Sequence, residues 1–168
     1  VLSGVHDRDR DFGEYVDARA LVMRRTAYLL CGDWHRAEDL VQTALAKMYA
    51  VWPRLVRVES LDAYARKVLV RTAIDESRLA FRRRETAVSA VPDSAFDSAD
   101  VASRLDVRAA LAALPARQRA VVVLRYWDDQ SIEETARILG CSTGTVKSQA
   151  SKGLAALRRL LEPAGEVR

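Results

Sequence analysis

Residues 131–154 constrain this chain more than any other stretch. Ser131 can cap a helix, and Glu134, three residues on, completes a capping box. Ile132, Ala136 and Leu139 then fall on one apolar face. Ala136 is small enough to let a second helix cross closely. Gly140 follows the last apolar residue and suits the left-handed conformation that ends a helix. Ser142 or Thr143 can cap the next helix. In that helix Val146, Ala150, Leu154, Leu157 and Leu161 form the stripe to be buried. Thr145, Lys147, Ser148, Gln149, Ser151 and Lys152 are left outside, and no acidic residue occurs between Cys141 and Leu161. Lysines suit phosphates, whereas Ser148 and Gln149 suit base edges. Two helices joined this way are how a recognition helix enters the DNA major groove. A plain helical hairpin with a basic surface is the bland alternative. Cap, glycine, small residue and charge bias all agree against it.

The rest of the chain is read as helical too. Residues 12–31 carry Phe12, Tyr15, Val16, Leu21, Met23 and Tyr28, and Gly32-Asp33 breaks them, with Asp33 as the next N-cap. A second helix holds Ala37, Leu40, Val41, Ala44, Leu45, Met48, Val51 and Trp52, and Pro53 is expected to end it. Residues 54–59 are expected to form a short loop. Ser60 then caps a long helix with Leu61, Tyr64, Ala65, Val68, Leu69 and Ile74, running into Arg82-Arg83-Arg84. Residues 86–103 lose the period and have linker composition, with Ser89, Pro92, Asp93, Ser94, Asp97 and Asp100. After them Leu105, Val107, Ala109, Leu111 and Leu114 form a short helix. Pro115 suits the first turn of the next, which carries Ala120, Val121, Val123, Leu124, Tyr126 and Trp127. Residues 128–130 turn into the helix-turn-helix. The expected fold class is all-α: two small helical domains, 1–85 and 104–168, joined by a flexible acidic linker at 86–103, the C-terminal domain containing the helix-turn-helix.

Composition excludes several functions. The formal net charge of +4 over 168 residues favours a polyanionic partner. Cys31 and Cys141 are far apart, with no histidine or second cysteine at metal-ligand spacing, so no metal and no cofactor is expected. His6 and His35 are isolated. No glycine-rich phosphate loop and no nucleophile–base constellation is present, so no catalytic residue is assigned and an enzyme is not expected. No apolar run is long enough to span a membrane, and the polar N-terminus lacks a signal-peptide core. The expected location is cytoplasmic.

Three ordered blocks resemble the bacterial sigma factors of the sigma-70 family, in their minimal, extracytoplasmic-function form. Residues 37–49, from Ala37-Glu38-Asp39-Leu40-Val41-Gln42 to Tyr49, resemble the family's most recognisable second-region helix. Residues 63–78, followed by arginines, are similar to the long helix that faces the promoter −10 element. Residues 114–158, opening Leu114-Pro115-Ala116-Arg117-Gln118-Arg119, resemble the fourth region, which reads the −35 element.

The resemblance implies a dissociable initiation factor with core RNA polymerase and promoter DNA as partners, an anti-sigma protein as a further partner, and a monomer when free. It assigns core-polymerase contacts to Asp39, Gln42, Thr43, Leu45 and Tyr49. It assigns −10 DNA contacts to Trp52, Arg54, Arg57, Arg66, Lys67, Arg71, Arg78 and Arg82. Trp52 either lines a pocket for a flipped base or caps the core. It assigns −35 contacts to Ser142, Thr143, Thr145, Lys147, Ser148, Gln149, Ser151 and Lys152. The chain departs from the family pattern at Arg71, where many members have Asn, which favours a phosphate contact. At Gln149 the family often has Arg, and Gln would favour adenine over guanine. The acidic linker suits either phosphate mimicry inside polymerase channels or a solvated tether. The main rival is a stand-alone, dimeric helix-turn-helix regulator with a helical sensing domain. A nucleic-acid-processing enzyme is the third reading.

Overall fold

The computed structural model describes residues 2–58, 60–86 and 102–162, with side chains at 6–55, 60–85 and 107–162. The linker expected at 86–103 falls almost wholly outside them. All regular elements among the described residues are helical. They are α1 (Leu2–Cys31), α2 (Trp34–Val58), α3 (Leu61–Thr86), α4 (Ala102–Ala113), α5 (Ala116–Val122), a π-helical turn (Val123–Trp127), α6 (Ile132–Leu139) and α7 (Thr143–Leu161).

The breaks form where the local chemistry dictates. Gly32 has φ +77°, closed to most side chains, and its N–H returns to the Tyr28 carbonyl at 2.7 Å. Asp33 caps α2, accepting from the Arg36 N–H at 2.8 Å. Ser60 accepts from the Ala63 N–H at the start of α3.

Two expectations about helix ends need correction. α1 starts at Leu2 rather than Phe12. α2 runs through Pro53 to Val58, so the loop expected at 54–59 is helical as far as Val58. Proline in a helix leaves the carbonyl four residues earlier without its donor. Here that carbonyl is Tyr49's, and the Arg8 guanidinium donates to it. The N-terminal extension of α1 thus lets the helix continue past its proline.

The first three helices bury Met23, Ala27, Leu30, Leu40, Val41, Ala44, Met48, Trp52, Leu69 and Val70. Burying a Leu, Val or Met side chain is worth about 1.5–3 kcal/mol, so packing dominates here. The C-terminal helices add Val121, Val123, Leu124, Ile138, Leu139 and Val146 to the same contiguous cluster. The two halves therefore meet through apolar side chains, α3 against α6 and α5, and α1 against α4 and the π turn. A smaller cluster, Leu111, Leu114 and Val122, lies against Leu29, Ala156 and Leu157. α3 packs against α1 and α2 on one side and α5 and α6 on another, while its charged C-terminal part is largely exposed.

The π turn shifts the register after Val122. It leaves Tyr126 and Trp127, expected on the apolar side, exposed. Leu161, expected in the buried stripe of α7, is also exposed at the helix end.

Candidate nucleic-acid interface

Ser131 accepts from the Glu134 N–H at 3.0 Å to open α6. The Glu134 carboxylate turns to Arg137 at 2.6 Å. Gly140 takes φ +63° and ends the helix. Ser142 caps α7, accepting from the Thr145 N–H at 3.1 Å, and its hydroxyl meets that of Thr145 at 2.9 Å. Ala136 and Val146 are buried where the helices cross. Ser142, Thr143, Lys147, Ser148, Ser151 and Lys152 are exposed; Thr145 and Gln149 are half-buried. The result is a helix N-terminus, positive by its own dipole, flanked by hydroxyls and two lysines, with no carboxylate in α7 itself and Glu133 of α6 lining the cleft beside Ser142 and Thr143. Chemically, it suits a phosphate backbone and neighbouring base edges.

On α3, Lys67, Arg71, Arg78 and Arg82 recur at intervals of four or seven and share a side of the helix. Arg78 and Arg82 are exposed and Lys67 half-buried. Arg66 lies elsewhere: its Nε is 3.5 Å from Asp128 Oδ2, between the two halves of the protein. Arg71 is exposed, yet its Nε donates to the Ile138 carbonyl at 2.9 Å.

On α2, Asp39 and Gln42 are exposed and Thr43 is half-buried. Leu45 is 8% exposed and faces the core, so it offers a partner no side chain. Tyr49 is covered by the Arg8 guanidinium, 4.0 Å above its ring, and its hydroxyl donates to Asp9. Trp52 is 3% exposed, with Phe12 edge-on at 5.0 Å and Tyr15 at 5.5 Å. It caps the core rather than standing open to solvent. Arg54 is exposed; the Arg57 side chain lies outside the described residues.

Asp128 is the least expected member of this region. It follows the π turn, its side chain is 10% exposed, and it accepts from the Thr26 hydroxyl at 3.1 Å. Burial raises its carboxyl pKa, against the lowering pull of Thr26 and Arg66. Arg119 is a second clasp, donating to the carbonyls of Leu30, Ala112 and Leu114 at 2.6, 2.9 and 2.9 Å.

Residues 16–85 match Sigma-70 region 2, and residues 99–157 match Sigma-70, region 4. The RNA polymerase sigma-E factor of Streptomyces avermitilis is 40% identical over 162 residues, spanning 94% of this chain and 88% of that protein. The protein of the same name from Streptomyces coelicolor is 41% identical over 156 residues, spanning 90% and 86%. The chain belongs to the sigma-70 family. It is an RNA polymerase sigma factor of the extracytoplasmic-function type, acting in transcription initiation. In three dimensions the sigma factor resembles RpoE of Bartonella quintana, solved with the anti-sigma factor NepR. The TM-score is 0.71 at 27% identity, covering 93% of this chain and 99% of that one.

Among the described residues the sigma factor has no cluster of His, Cys, Asp or Glu able to hold a metal, and no helix long and apolar enough to cross a membrane. Sequence reasoning missed Thr26, Arg8, Arg119 and Asp128 as structural contacts. None carries a local signal for its long-range contact, because the partner there is distant in sequence: Tyr49 for Arg8, Asp128 for Thr26 and Leu30 for Arg119. Gly153 was also missed, although a glycine inside an otherwise helical pattern does mark a close approach. A Cβ there would lie 2.8 Å from Val122 Cγ2.

Proposed function

We propose that this sigma factor binds core RNA polymerase through the outer face of α2 and recruits it to promoters that α3 and α7 recognise together. Residues 1–85 form the unit that docks on polymerase and opens the −10 element. Residues 104–168 form the unit that reads the −35 element, and 86–103 link them. Asp39 and Gln42 are the polymerase contacts, since both are exposed off the apolar stripe. Lys67, Arg71, Arg78 and Arg82 of α3 neutralise −10 phosphates, and so does the exposed Arg54 of α2. Lys147 and Lys152 hold −35 phosphates, and Ser148, Gln149 and Ser151 meet base edges.

The observation that carries this reading is the exposed face of α7: hydroxyls and two lysines with the half-buried Gln149 among them, no acidic residue in the helix, and a capped N-terminus. The factor contributes binding and strand capture, and polymerase contributes the chemistry, so neither cofactor nor metal is required. It works in the cytoplasm. An anti-sigma protein is a partner of the same class as that of the Bartonella quintana structure.

The test is transcription in vitro with core polymerase on a pool of random promoter fragments, with and without the factor. New transcripts sharing two spaced elements support the reading. A folded factor that shifts DNA alone but never directs polymerase would favour a stand-alone regulator.

A further inference from the structure

A cleft of about 660 Å³ opens where α1, the start of α2, α4 and the π turn meet. None of its lining residues is among those given to polymerase or DNA. Trp34 stacks on Tyr28, with ring centroids 4.0 Å apart and planes 14° from parallel. The Arg108 guanidinium stands 4.9 Å over the same Tyr28 ring and donates to its hydroxyl at 3.2 Å, which fixes its position. Trp127 faces the cleft from the π turn, 56% exposed, and Trp34 is 46% exposed. Among the described residues Trp127 stacks on no other ring, and the exposed Arg25 is held by no ion pair. No carboxylate among the described residues lines the cleft.

A single exposed apolar side chain is ordinary. Two half-exposed indoles converging with two guanidiniums on one concave surface are not explained by packing of the core. The volume falls within the range of about 300–1,000 Å³ typical of small-molecule sites. Indole faces accept a flat ring by stacking, whatever its edge pattern. Guanidinium forks match phosphate or carboxylate oxygens with paired hydrogen bonds. We infer that this cleft is a binding site for a small planar heteroaromatic molecule that carries an anionic group, a nucleoside phosphate being the simplest of the class. The ring lies against Trp127 and the exposed surface of Trp34. The anion meets Arg25 and the N–H groups of Arg108 that Tyr28 does not use. A ligand held this way stabilises the folded chain by mass action. The site is independent of the faces that meet polymerase and promoter.

The full chain is titrated with AMP, with GMP, and with adenosine and ribose 5-phosphate, which each hold half of the chemistry. Tryptophan fluorescence reads the cleft, since of the three tryptophans Trp52 is buried and the other two line it. Calorimetry gives the affinities. AMP or GMP should quench saturably and raise the melting temperature. Adenosine and ribose 5-phosphate should bind at least about tenfold more weakly. Trp127→Ala should weaken nucleotide binding at least about fivefold, the lower end of what one base–ring stack contributes. Trp127→Phe should restore most of it. Arg25→Ala should weaken AMP and leave adenosine unchanged. Both positions are exposed, so the unliganded variants should melt with the wild type.

No saturable binding of either nucleotide up to about 1 mM, or binding that both substitutions leave unchanged, would overturn the inference. Two further probes are run beside the nucleotides: a short single-stranded oligo-dA and an acidic, leucine-containing helical peptide. Binding of the oligonucleotide with none of AMP or GMP would give the rings to a nucleic-acid chain. Binding of the peptide alone would give them to a protein partner. Either result sinks the small-molecule site.

Discussion

The Arg8 guanidinium donates to the Tyr49 carbonyl, the acceptor that Pro53 leaves empty four residues on. The same side chain lies 4.0 Å over the Tyr49 ring. A buried carbonyl stripped of its donor costs about 1–3 kcal/mol. Arg8→Ala should therefore destabilise the protein by that order in urea unfolding. Pro53→Ala supplies the missing N–H, so Arg8→Ala should cost less in a Pro53→Ala background. Equal cost in both backgrounds would show that the guanidinium acts only through the ring.

Gly153 sits on α7 where a Cβ would come within 2.8 Å of Val122 Cγ2 and 3.6 Å of the Gln118 carbonyl. Ala has a higher helix propensity by about 1 kcal/mol, but overpacking costs typically 1–3 kcal/mol. Val122 is itself 7% exposed and has little room to move. Gly153→Ala should lower the melting temperature, and adding Val122→Ala should recover part of the loss relative to Val122→Ala alone.

Arg119 donates to three carbonyls, that of Leu30 across the two halves and those of Ala112 and Leu114 within its own half. A planar fork fixes such a geometry and an ammonium does not. Arg119→Lys should therefore cost about 1.5–3 kcal/mol, the range for hydrogen bonds involving charged groups. A Lys variant that melts with the wild type would mean that one carbonyl carries the contact.

Asp39 and Leu45 separate binding from stability on one helix. Asp39→Ala or Gln42→Ala should weaken core-polymerase binding with an unchanged melting curve, because both side chains are exposed. Leu45→Ala should lose about 2–5 kcal/mol of stability, as a core truncation does. On α7, Lys147→Ala and Lys152→Ala should each reduce the salt dependence of DNA binding by about one unit of slope. Unchanged slopes in both would turn that helix away from DNA.

The pH dependence of stability should carry a contribution from Asp128. Burial raises its pKa above the ordinary 3.8, so the folded protein holds this proton more tightly than the unfolded chain. Its contribution is greatest below the ordinary value and is lost as the pH rises through the raised one. Asp128→Asn removes that titration while keeping an acceptor for Thr26. Its stability relative to wild type should therefore improve as pH rises from about 4 toward neutrality. A difference that shrinks over this range would mean that Arg66 outweighs burial.

The sequence by itself determined the all-helical class, the helix-turn-helix with its caps at Ser131 and Ser142, the break at Gly140 and the family. These are written in residues three or four apart, where backbone hydrogen bonding and helical period act directly. The exposed lysines of α7 and the exposed Asp39 of α2 follow from the same period. Periodicity put Leu45 and Trp52 among the apolar positions of α2. Only the tertiary structure decided for the core against the contact roles the resemblance gave them, and only it decided that α2 passes its proline and that Arg66 and Arg71 face the other half. Their partners lie far along the chain: 41 residues separate Arg8 from Tyr49, 67 separate Arg71 from Ile138 and 102 separate Thr26 from Asp128. Periodicity says which side of a helix is apolar. Which distant carbonyl or carboxylate completes a charged side chain depends on how whole helices pack, and no local spacing encodes that.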